Sequence, residues 1–360
     1  EVHDFLKWLD DDHFTFLGFR RYDFTQRKET KDAHVVAGSG LGILRDPASR
    51  VFYADDSKLP RDVREILEGG STVSISKANR RSTVHRPIHM DTIGIRIANA
   101  AGDITGEYRF VGLFTSHAYN LSPRFIPLLR RKIARAMTQA GFDASSHDGK
   151  ALQHILETYP RDELFQISEE DLVENALGIL HLHERQRTAL FLRRDPFRRF
   201  MSCLVYTPRE GYSASLRERL GDILCKAFSG TVSAAYTQVG DEPLARIHFI
   251  IKTDPEKEIA FDKDAVERDL VAAARSWADD LHNILIAAHG EGEGVSLYQR
   301  YGKAFPVAYH DTFSASQGAH DTDKAEEVRA RGCPAFHLYR RQGDDADEMR
   351  LKIYQPGLPL

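Results

Sequence analysis

The sequence is poor in cysteine and has no long apolar run. Its 360 residues include three cysteines, Cys203, Cys225 and Cys333, which are far apart and show no C-x-x-C spacing. This pattern gives neither a disulfide framework nor a zinc site, and it is typical of a reducing cytoplasm. No apolar run reaches the roughly 18 residues that a membrane-spanning helix needs, so we expect no membrane partner.

The sequence also lacks a strong charge of either sign. It has 49 Lys and Arg residues against 53 Asp and Glu residues, a formal net charge of -4, so its overall charge does not favour nucleic acid. The start, EVHDFLKWLDDDH, lacks the basic-then-apolar order of a secretory signal. Because the chain begins without Met and ends in MRLKIYQPGLPL, we expect a segment of a longer cytoplasmic protein.

Glycines in the stretch VVAGSGLGIL suggest a nucleotide-binding loop at Gly38 to Gly42. A dinucleotide fingerprint needs G-x-G-x-x-G at the start of a helix. Here Ile43 takes the place of the third glycine, and Asp46-Pro47 would stop a helix within one turn. The following RVFYAD is predicted to be a strand. We therefore interpret the glycines as a connection between strands and assign no cofactor-binding residue.

Other motifs for chemistry are weak. His85 and His89 have H-x-x-x-H spacing, but Pro87 between them prevents the helix that would bring both rings to one metal. His181 and His183 lie on a predicted helix, where side chains two residues apart diverge. There is no G-x-S-x-G motif and no cysteine-histidine signature. No catalytic or metal-binding residue is assigned.

Two groups of basic residues are predicted to be solvated faces or subunit contacts, because no aromatic-rich nucleic-acid motif accompanies them. They are Arg130, Arg131, Lys132 and Arg135 on one helix, and Arg193, Arg194, Arg198 and Arg199 around the turn at Asp195-Pro196.

Residues 1–145 alternate short β-rich runs with turn signals, which predicts an antiparallel sheet with a few helices. A hairpin is expected over residues 92–116, with its tip at residues 101–103. A helix should follow from its cap at Ser122 to Gly141. Residues 146–186 are expected to be a helical linker.

The pattern restarts at Arg187 with the order β-α-β-β-α, which is typical of a ferredoxin-like unit. Its first helix is predicted to begin with a capping box of Ser215 and Glu218. One long helix is expected over residues 264–289, and its distal apolar side chains should pack against another module or subunit. Those side chains are Leu281, Ile284, Leu285 and Ala288.

Four long runs are specific enough to compare with known families: WLDDDHFTFLGFRRYDF, RSTVHRPIHMDTIGI, YRFVGLFTSHAYNLSPRFIPLLRRKI and SSHDGKALQHILETYPRDELFQI. These runs resemble the large NAD-specific glutamate dehydrogenases of bacteria. The resemblance implies that this chain lies N-terminal to the catalytic domain, among PAS-type and ACT-type domains. No residue matches a catalytic motif of that family, so NAD would belong to the parent enzyme and not to this chain.

The resemblance and the residue patterns together predict an α+β multidomain protein. Its PAS-like antiparallel sheet module and its ferredoxin-like (ACT-type) βαββα module would be joined by helical linkers. The expected segments are a PAS-like domain (1–145), the linker (146–186), an ACT-like domain (187–290), a helical connector (291–334) and the truncated start of a further ACT-like domain (335–360).

Two functions remain open at this point. The first is a non-catalytic regulatory and assembly segment, whose partners are the other domains and subunits of a homo-oligomeric parent enzyme. The second is a free-standing amino-acid sensor built from the same modules.

The resemblance also suggests where an amino-acid effector would bind. In ACT-type domains the ligand lies at the loop between the first strand and the first helix, which corresponds here to TPREGYSAS. Gly211, Tyr212 and Ser213 would face the ligand carboxylate, with Arg209 as a charge partner. The alternative is that Gly211 shapes the turn, Ser213 or Ser215 caps the helix and Arg209 is solvated.

Overall fold

The structure is a computed structural model and describes residues 1–27, 30–46, 48–49, 72–184, 186–340 and 348–357. It divides into two compact units, Glu1–Val271 and Ala272–Leu360. Helices and antiparallel sheets occur in both units, so the α+β class is confirmed. No helix in the described part of the chain is long and apolar enough to cross a membrane.

The first unit opens with a helix, α1 (Val2–Trp8), and a six-stranded antiparallel sheet. Five strands lie in the order β2-β1-β6-β5-β4, and the short β3 also pairs with β1. The strands are β1 (Phe14–Arg27), β2 (Thr30–Val35), β3 (Leu41–Gly42), β4 (Val73–Arg81), β5 (His89–Ala98) and β6 (Ile104–Phe114). The predicted hairpin is confirmed, because β5 and β6 pair around a turn in which Gly102 has a φ of 92°.

Five helices follow this sheet. They are α2 (Ser116–Asn120), α3 (Leu129–Ala140), α4 (His147–Thr158), α5 (Arg161–Gln166) and α6 (Glu169–Glu184). The helix expected from Ser122 is interrupted: Ser122 caps only a short 3₁₀ turn, Pro123–Phe125. Pro127 explains the interruption, because it disfavours helical backbone angles at Ile126. Gly141 ends α3 in the left-handed conformation, as the sequence predicts.

A four-stranded antiparallel sheet comes next, in the order β7-β8-β10-β9. Its elements are β7 (Ala189–Arg194), β8 (Phe200–Pro208), α7 (Ala214–Ala227), β9 (Thr231–Gln238), β10 (Leu244–Lys252) and α8 (Lys263–Ala274). The predicted β-α-β-β-α order is present, and β7 adds a strand beside β8 that the sequence analysis missed. The cap of α7 also differs from the prediction, since Ser213 and not Ser215 accepts the amide hydrogen bond of Leu216.

A continuous apolar core runs through the first unit. It contains Phe114 from the first sheet, Leu156 and Phe165 from the helices, and Leu204 from the second sheet. The rings of Phe114 and Phe165 stack with their centroids 4.5 Å apart. The helices between the sheets are therefore part of the folded body and not a loose connection.

The prediction of one long helix over residues 264–289 is wrong. The structure has two helices there, α8 and α9 (Trp277–His289), because Ser276 and Asp279 form a capping box that starts the second one. The Ser276 hydroxyl accepts from the amide of Asp279 at 3.1 Å, and the Asp279 carboxylate accepts from the amide of Ser276 at 3.0 Å. This reciprocal pairing satisfies amides that would otherwise lack partners at a new helix start.

The second unit packs helices against one another and carries a hairpin. Its further elements are α10 (Glu291–Tyr301), α11 (Val307–Thr312), α12 (Ala315–Arg331), β11 (Ala335–Tyr339) and β12 (Arg350–Tyr354). Leu281 and Leu285 of α9 are buried in a cluster with Leu297, Ala315 and Ala319. This part of the predicted apolar face is buried as expected, whereas Ala288 is exposed.

Candidate functional site

The loop predicted to bind an amino acid has its polar groups engaged with its own domain. Arg209 donates to the carbonyl of Gly240 at 3.0 Å, and the Tyr212 hydroxyl donates to Thr237 Oγ1 at 3.3 Å. Ser213 caps α7, accepting from the amide of Leu216 at 3.1 Å. Gly211 lies with them in the same exposed turn. The four residues are adjacent as expected, and ligand binding by them stays a prediction.

The glycines near residue 40 pack closely against backbone. A Cβ on Gly42, whose φ is +56°, would lie 2.1 Å from the carbonyl oxygen of Leu17, and one on Gly40 would lie 2.3 Å from that of Leu44. Residues 41–46 contain no helix start. Close backbone contacts therefore account for Gly40 and Gly42 without a nucleotide, and the φ of 74° at Gly38 favours glycine there. The strand predicted at RVFYAD lies outside the described residues.

Among the described residues, no group of three or more His, Cys, Asp or Glu side chains is placed to hold a metal ion. His85 is exposed with a φ of 60°, and the ring of His89 bonds the carbonyl of Ala78 at 3.0 Å.

The arginines around the turn at Asp195-Pro196 are not a solvated face, which corrects the sequence interpretation. Arg193 and Arg199 are both buried. The guanidinium of Arg199 donates two hydrogen bonds to Asp195, at 2.7 and 2.8 Å, and also donates to the carbonyl of Lys77. In the other basic group, Arg130 and Arg135 are half exposed, as expected. Lys132 of that group differs from the expectation, because its ammonium donates to the carbonyls of Leu164 and Ile167 at 2.9 and 2.7 Å.

Arg193 and Arg199 lie near a cavity of about 330 Å³ in the first unit. Its walls come from β4 and β5 of the first sheet, from α5, and from β8, β9 and β10 of the second sheet. On β10 the lining residues are His248, Ile250 and Lys252, which point to one side of the sheet because side chains alternate along a strand. Ile247, Phe249 and Ile251 point to the opposite side and are buried. The cavity therefore lies on the face of the second sheet that His248 and Lys252 share.

Lys77 is the centre of the first charged group in this cavity. Its ammonium lies 2.6 Å from a carboxylate oxygen of Asp91 and 3.1 Å from one of Asp162, and Asp162 also accepts from Tyr119 at 2.6 Å. Burial disfavours a charged lysine, but Asp162 and Asp91 together raise the pKa of Lys77 well above its ordinary value. Burial raises the pKa of Asp91 to about 6. This group ties β4 and β5 to helix α5.

Glu163 is the centre of the second charged group. Both of its oxygens accept from Arg193, each at 2.7 Å, and both side chains are buried. Although burial opposes ionisation, Arg193 holds the pKa of Glu163 below its ordinary value. His248 lies 3.8 Å away and bonds Ser202 at 2.8 Å, and burial lowers its pKa. These contacts tie α5 to the second sheet.

Sequence reasoning did not identify the cavity. Lys77, Glu163 and His248 belong to three segments separated along the chain, and no motif spacing relates them. One sequence signal points to this region. Asp195 lies four positions before Arg199, a spacing at which the two side chains can form an ion pair. Alternation in the run HFIIK would have placed His248 and Lys252 on one face.

Family models of glutamate dehydrogenase match three parts of the chain. Residues 126–185 match helical motif 1, residues 189–278 match the ACT2 domain and residues 284–328 match helical motif 2. The ACT2 match covers the four-stranded sheet with α7 and α8, so the ACT assignment of this sheet is supported.

Three curated relatives are each named NAD-specific glutamate dehydrogenase. The protein of Halomonas elongata is 38% identical and that of Pseudomonas aeruginosa is 32% identical, each over all of this chain and 22% of the relative. The protein of Mycobacterium tuberculosis is 31% identical over 89% of this chain and 19% of the relative. The chain thus spans about a fifth of the length of the relatives it matches. These matches and the three family models agree that the chain is similar, over its full length, to one segment of the large NAD-specific glutamate dehydrogenases.

Proposed function

We propose that this chain is a non-catalytic regulatory and assembly segment of a large NAD-dependent glutamate dehydrogenase. The parent reaction would convert L-glutamate, NAD and water to 2-oxoglutarate, ammonia and NADH. The observation that carries the proposal is the match of the whole chain to only 22% of two curated relatives. Catalysis and NAD binding are then assigned to the remainder of the parent protein, which acts in the cytoplasm as a homo-oligomer.

The charge pattern of the cavity supports a structural role. Lys77, Glu163 and Arg199 each form ion pairs at 3.1 Å or less with neighbouring side chains. A buried charge that is fully paired holds elements in one arrangement, whereas a catalytic acid or base needs access to a substrate. These pairs fix the first sheet, α5 and the second sheet relative to one another.

We propose the expected domain limits as working boundaries. The antiparallel sheet within residues 1–145 supports a PAS-like domain. The hairpin of β11 and β12 supports the start of a further ACT-like sheet, because Phe336, Leu338, Leu351 and Ile353 form one face and are each 56–60% exposed. A sheet face of this kind is normally covered in a complete domain.

The loop at Arg209, Gly211, Tyr212 and Ser213 remains a candidate for an amino-acid effector. Its exposed position and the helix start at Ser213 favour it, whereas its internal hydrogen bonds favour a purely structural role. Calorimetric titration with a panel of amino acids tests the loop, since binding there should be lost in the Gly211→Val variant.

The competing proposal is a free-standing sensor made of the same modules. Activity assays test the first proposal. The purified chain should form no NADH from glutamate and NAD, and a full-length Halomonas relative should change its glutamate dependence when the segment matching this chain is deleted. NADH formation by the purified chain would contradict the non-catalytic role. An unchanged glutamate dependence after deletion would contradict the regulatory role.

A further inference from the structure

Two cationic side chains line the cavity without a close carboxylate. Arg81 of β4 and Lys252 of β10 are both exposed. Within the described residues, Arg81 donates to the carbonyl of Ser233 at 3.4 Å, and Lys252 forms no ion pair. The charged side chains deeper in the cavity differ from Arg81 and Lys252 in being paired. Lys77, Glu163 and Arg199 each have an oppositely charged partner. The uncompensated charge facing the cavity is therefore mainly positive.

The position of Ser233 brings Arg81 close to β10. Ser233 lies at a bulge, since Val232 pairs with Ile251 and Ala234 pairs with Ile250 while Ser233 has no partner in the ladder. Arg81 reaches from the first sheet to this bulge, which lies opposite Ile250 and Ile251 of β10. The two cations thus come from different sheets and line the same cavity.

The rest of the lining suits a small organic molecule. Pro87, Ile88, Phe200 and Ile250 supply apolar wall, and a volume of about 330 Å³ lies within the range of small-molecule sites. Asp162 keeps one carboxylate oxygen without a hydrogen bond to any described residue, and its side chain is 29% exposed. A ligand can therefore contact two cations, an apolar wall and one acceptor.

We propose that this cavity binds a small organic carboxylate whose negative group lies between Arg81 and Lys252. Guanidinium and ammonium groups form charge-assisted hydrogen bonds with carboxylates, and these are stronger than neutral ones. The apolar wall distinguishes an organic acid from a simple inorganic anion. A ligand held in this way contacts both sheets at once.

This site deepens the proposed regulatory function and rests on it. A ligand that contacts both sheets binds more tightly when the sheets are packed together than when they are separated. Its binding therefore favours the packed state. In the parent enzyme that preference would be passed to the segments attached to this chain. The site differs from the loop at Arg209, which lies at the opposite end of β8 from Phe200.

The test uses the purified chain and three probes, succinate, glutamate and inorganic phosphate, each at constant ionic strength set with NaCl. Calorimetry and thermal unfolding are measured for the wild-type protein and for Arg81→Ala and Lys252→Ala. Both side chains are exposed, so the ligand-free melting temperature should not change. Lys257→Ala is the matched control, because Lys257 is 74% exposed and lies outside the cavity lining.

We expect at least one organic carboxylate to bind at one site and raise the melting temperature, with phosphate weaker. Each cavity variant should weaken binding about tenfold or more, as expected for loss of a charged hydrogen bond, and Lys257→Ala should bind like wild type. The proposal would be overturned if neither organic acid bound or if both cavity variants bound the acid as tightly as the wild-type protein. It would also be overturned if phosphate bound as tightly as the organic acids. The glutamate dehydrogenase assay is independent of all these results, so failure of this site leaves the proposed segment role to be judged separately.

Discussion

Arg193 of β7 and Glu163 of α5 form a bidentate ion pair between the second sheet and one of the helices that lie between the two sheets in the chain. Both hydrogen bonds are 2.7 Å long, and both side chains are almost fully buried. The two residues are 30 positions apart, so the contact exists only after α5 and β7 have packed. It connects two segments that the sequence analysis assigned to different modules.

Removing one partner of this pair should be strongly destabilising. Arg193→Ala leaves the Glu163 carboxylate buried without its partner, so we expect the free energy of unfolding to fall by about 3–5 kcal/mol. Urea denaturation followed by circular dichroism measures the change. Arg135→Ala is the control, because Arg135 is half exposed in its pair with Glu169 and such a surface pair is worth about 0–1 kcal/mol. Equal effects of the two variants would contradict the role assigned to the buried pair.

Leu285 tests the packing of α9. It is fully buried beside Leu281 in the second unit, and truncation of a buried leucine to alanine costs about 2–5 kcal/mol. Leu285→Ala should therefore lower the unfolding temperature of the second unit in calorimetry. Leu351→Ala, at a position 56% exposed, should change stability by about 0.5 kcal/mol or less. If Leu285→Ala lowers stability as little as this control, Leu285 is not buried beside Leu281.

Two glycines of α10 provide a matched comparison. A Cβ on Gly294 would lie 2.5 Å from the Cα of Ile286, so α9 and α10 would have to separate. A Cβ on Gly292 meets no atom within 4 Å. We expect Gly294→Ala to destabilise the second unit and Gly292→Ala to be neutral or stabilising by up to about 1 kcal/mol, because alanine favours helix. Thermal unfolding of both variants measures this, and a stabilising Gly294→Ala would refute the close approach of the helices.

The purified chain should not bind NAD at Gly38 to Gly42. Gly42 and Gly40 are explained by their close approach to Leu17 and Leu44, and Gly38 has a φ of 74°, which favours glycine. Residues 41–46 contain no helix start to face a pyrophosphate. Isothermal calorimetry with NAD should give no saturable heat. Saturable binding that disappears in Gly40→Val, with the fold of the variant verified by circular dichroism, would be evidence against this interpretation.

Stability should depend on pH through His248. Burial lowers its pKa below the ordinary value of 6.5, so the unfolded chain binds a proton more readily than the folded one. The stability that the neutral His248 ring contributes is fully present above pH 6.5 and is lost as the pH falls through the pKa of His248 in the folded state. The free energy of unfolding should decrease between pH 7.5 and 5.5, and it should decrease less in His248→Gln. His147→Gln is the control, since the side chain of His147 is 96% exposed; an identical pH dependence in all three proteins would be inconsistent with the proposed titration.

Local sequence signals determined much of the secondary structure. Alternation and the turn at residues 101–103 predicted the hairpin of β5 and β6, and Gly141 predicted the end of α3. These features depend on backbone preferences and on contacts between near neighbours, which a short stretch of sequence contains. The long quoted runs also identified the family, because they match over many consecutive positions.

Local signals failed where two of them competed. The apolar repeat from Val266 to Ala288 predicted one helix, but the capping box of Ser276 and Asp279 starts a second one within it. Likewise, Pro127 interrupts the helix expected from Ser122. In both places the chain contained the stopping signal, and the apolar period masked it.

Only the tertiary structure decided how the charged residues are used. The sequence predicts Arg193 and Arg199 to be surface residues. In the structure both are buried, and they pair with Glu163 and Asp195. The same packing brings Arg81 and Lys252 to one cavity from strands about 170 residues apart. Burial and charge compensation depend on which segments meet in space. The physical reason is that a lone charge is stable in solvent, whereas a buried one requires a partner supplied by another part of the fold.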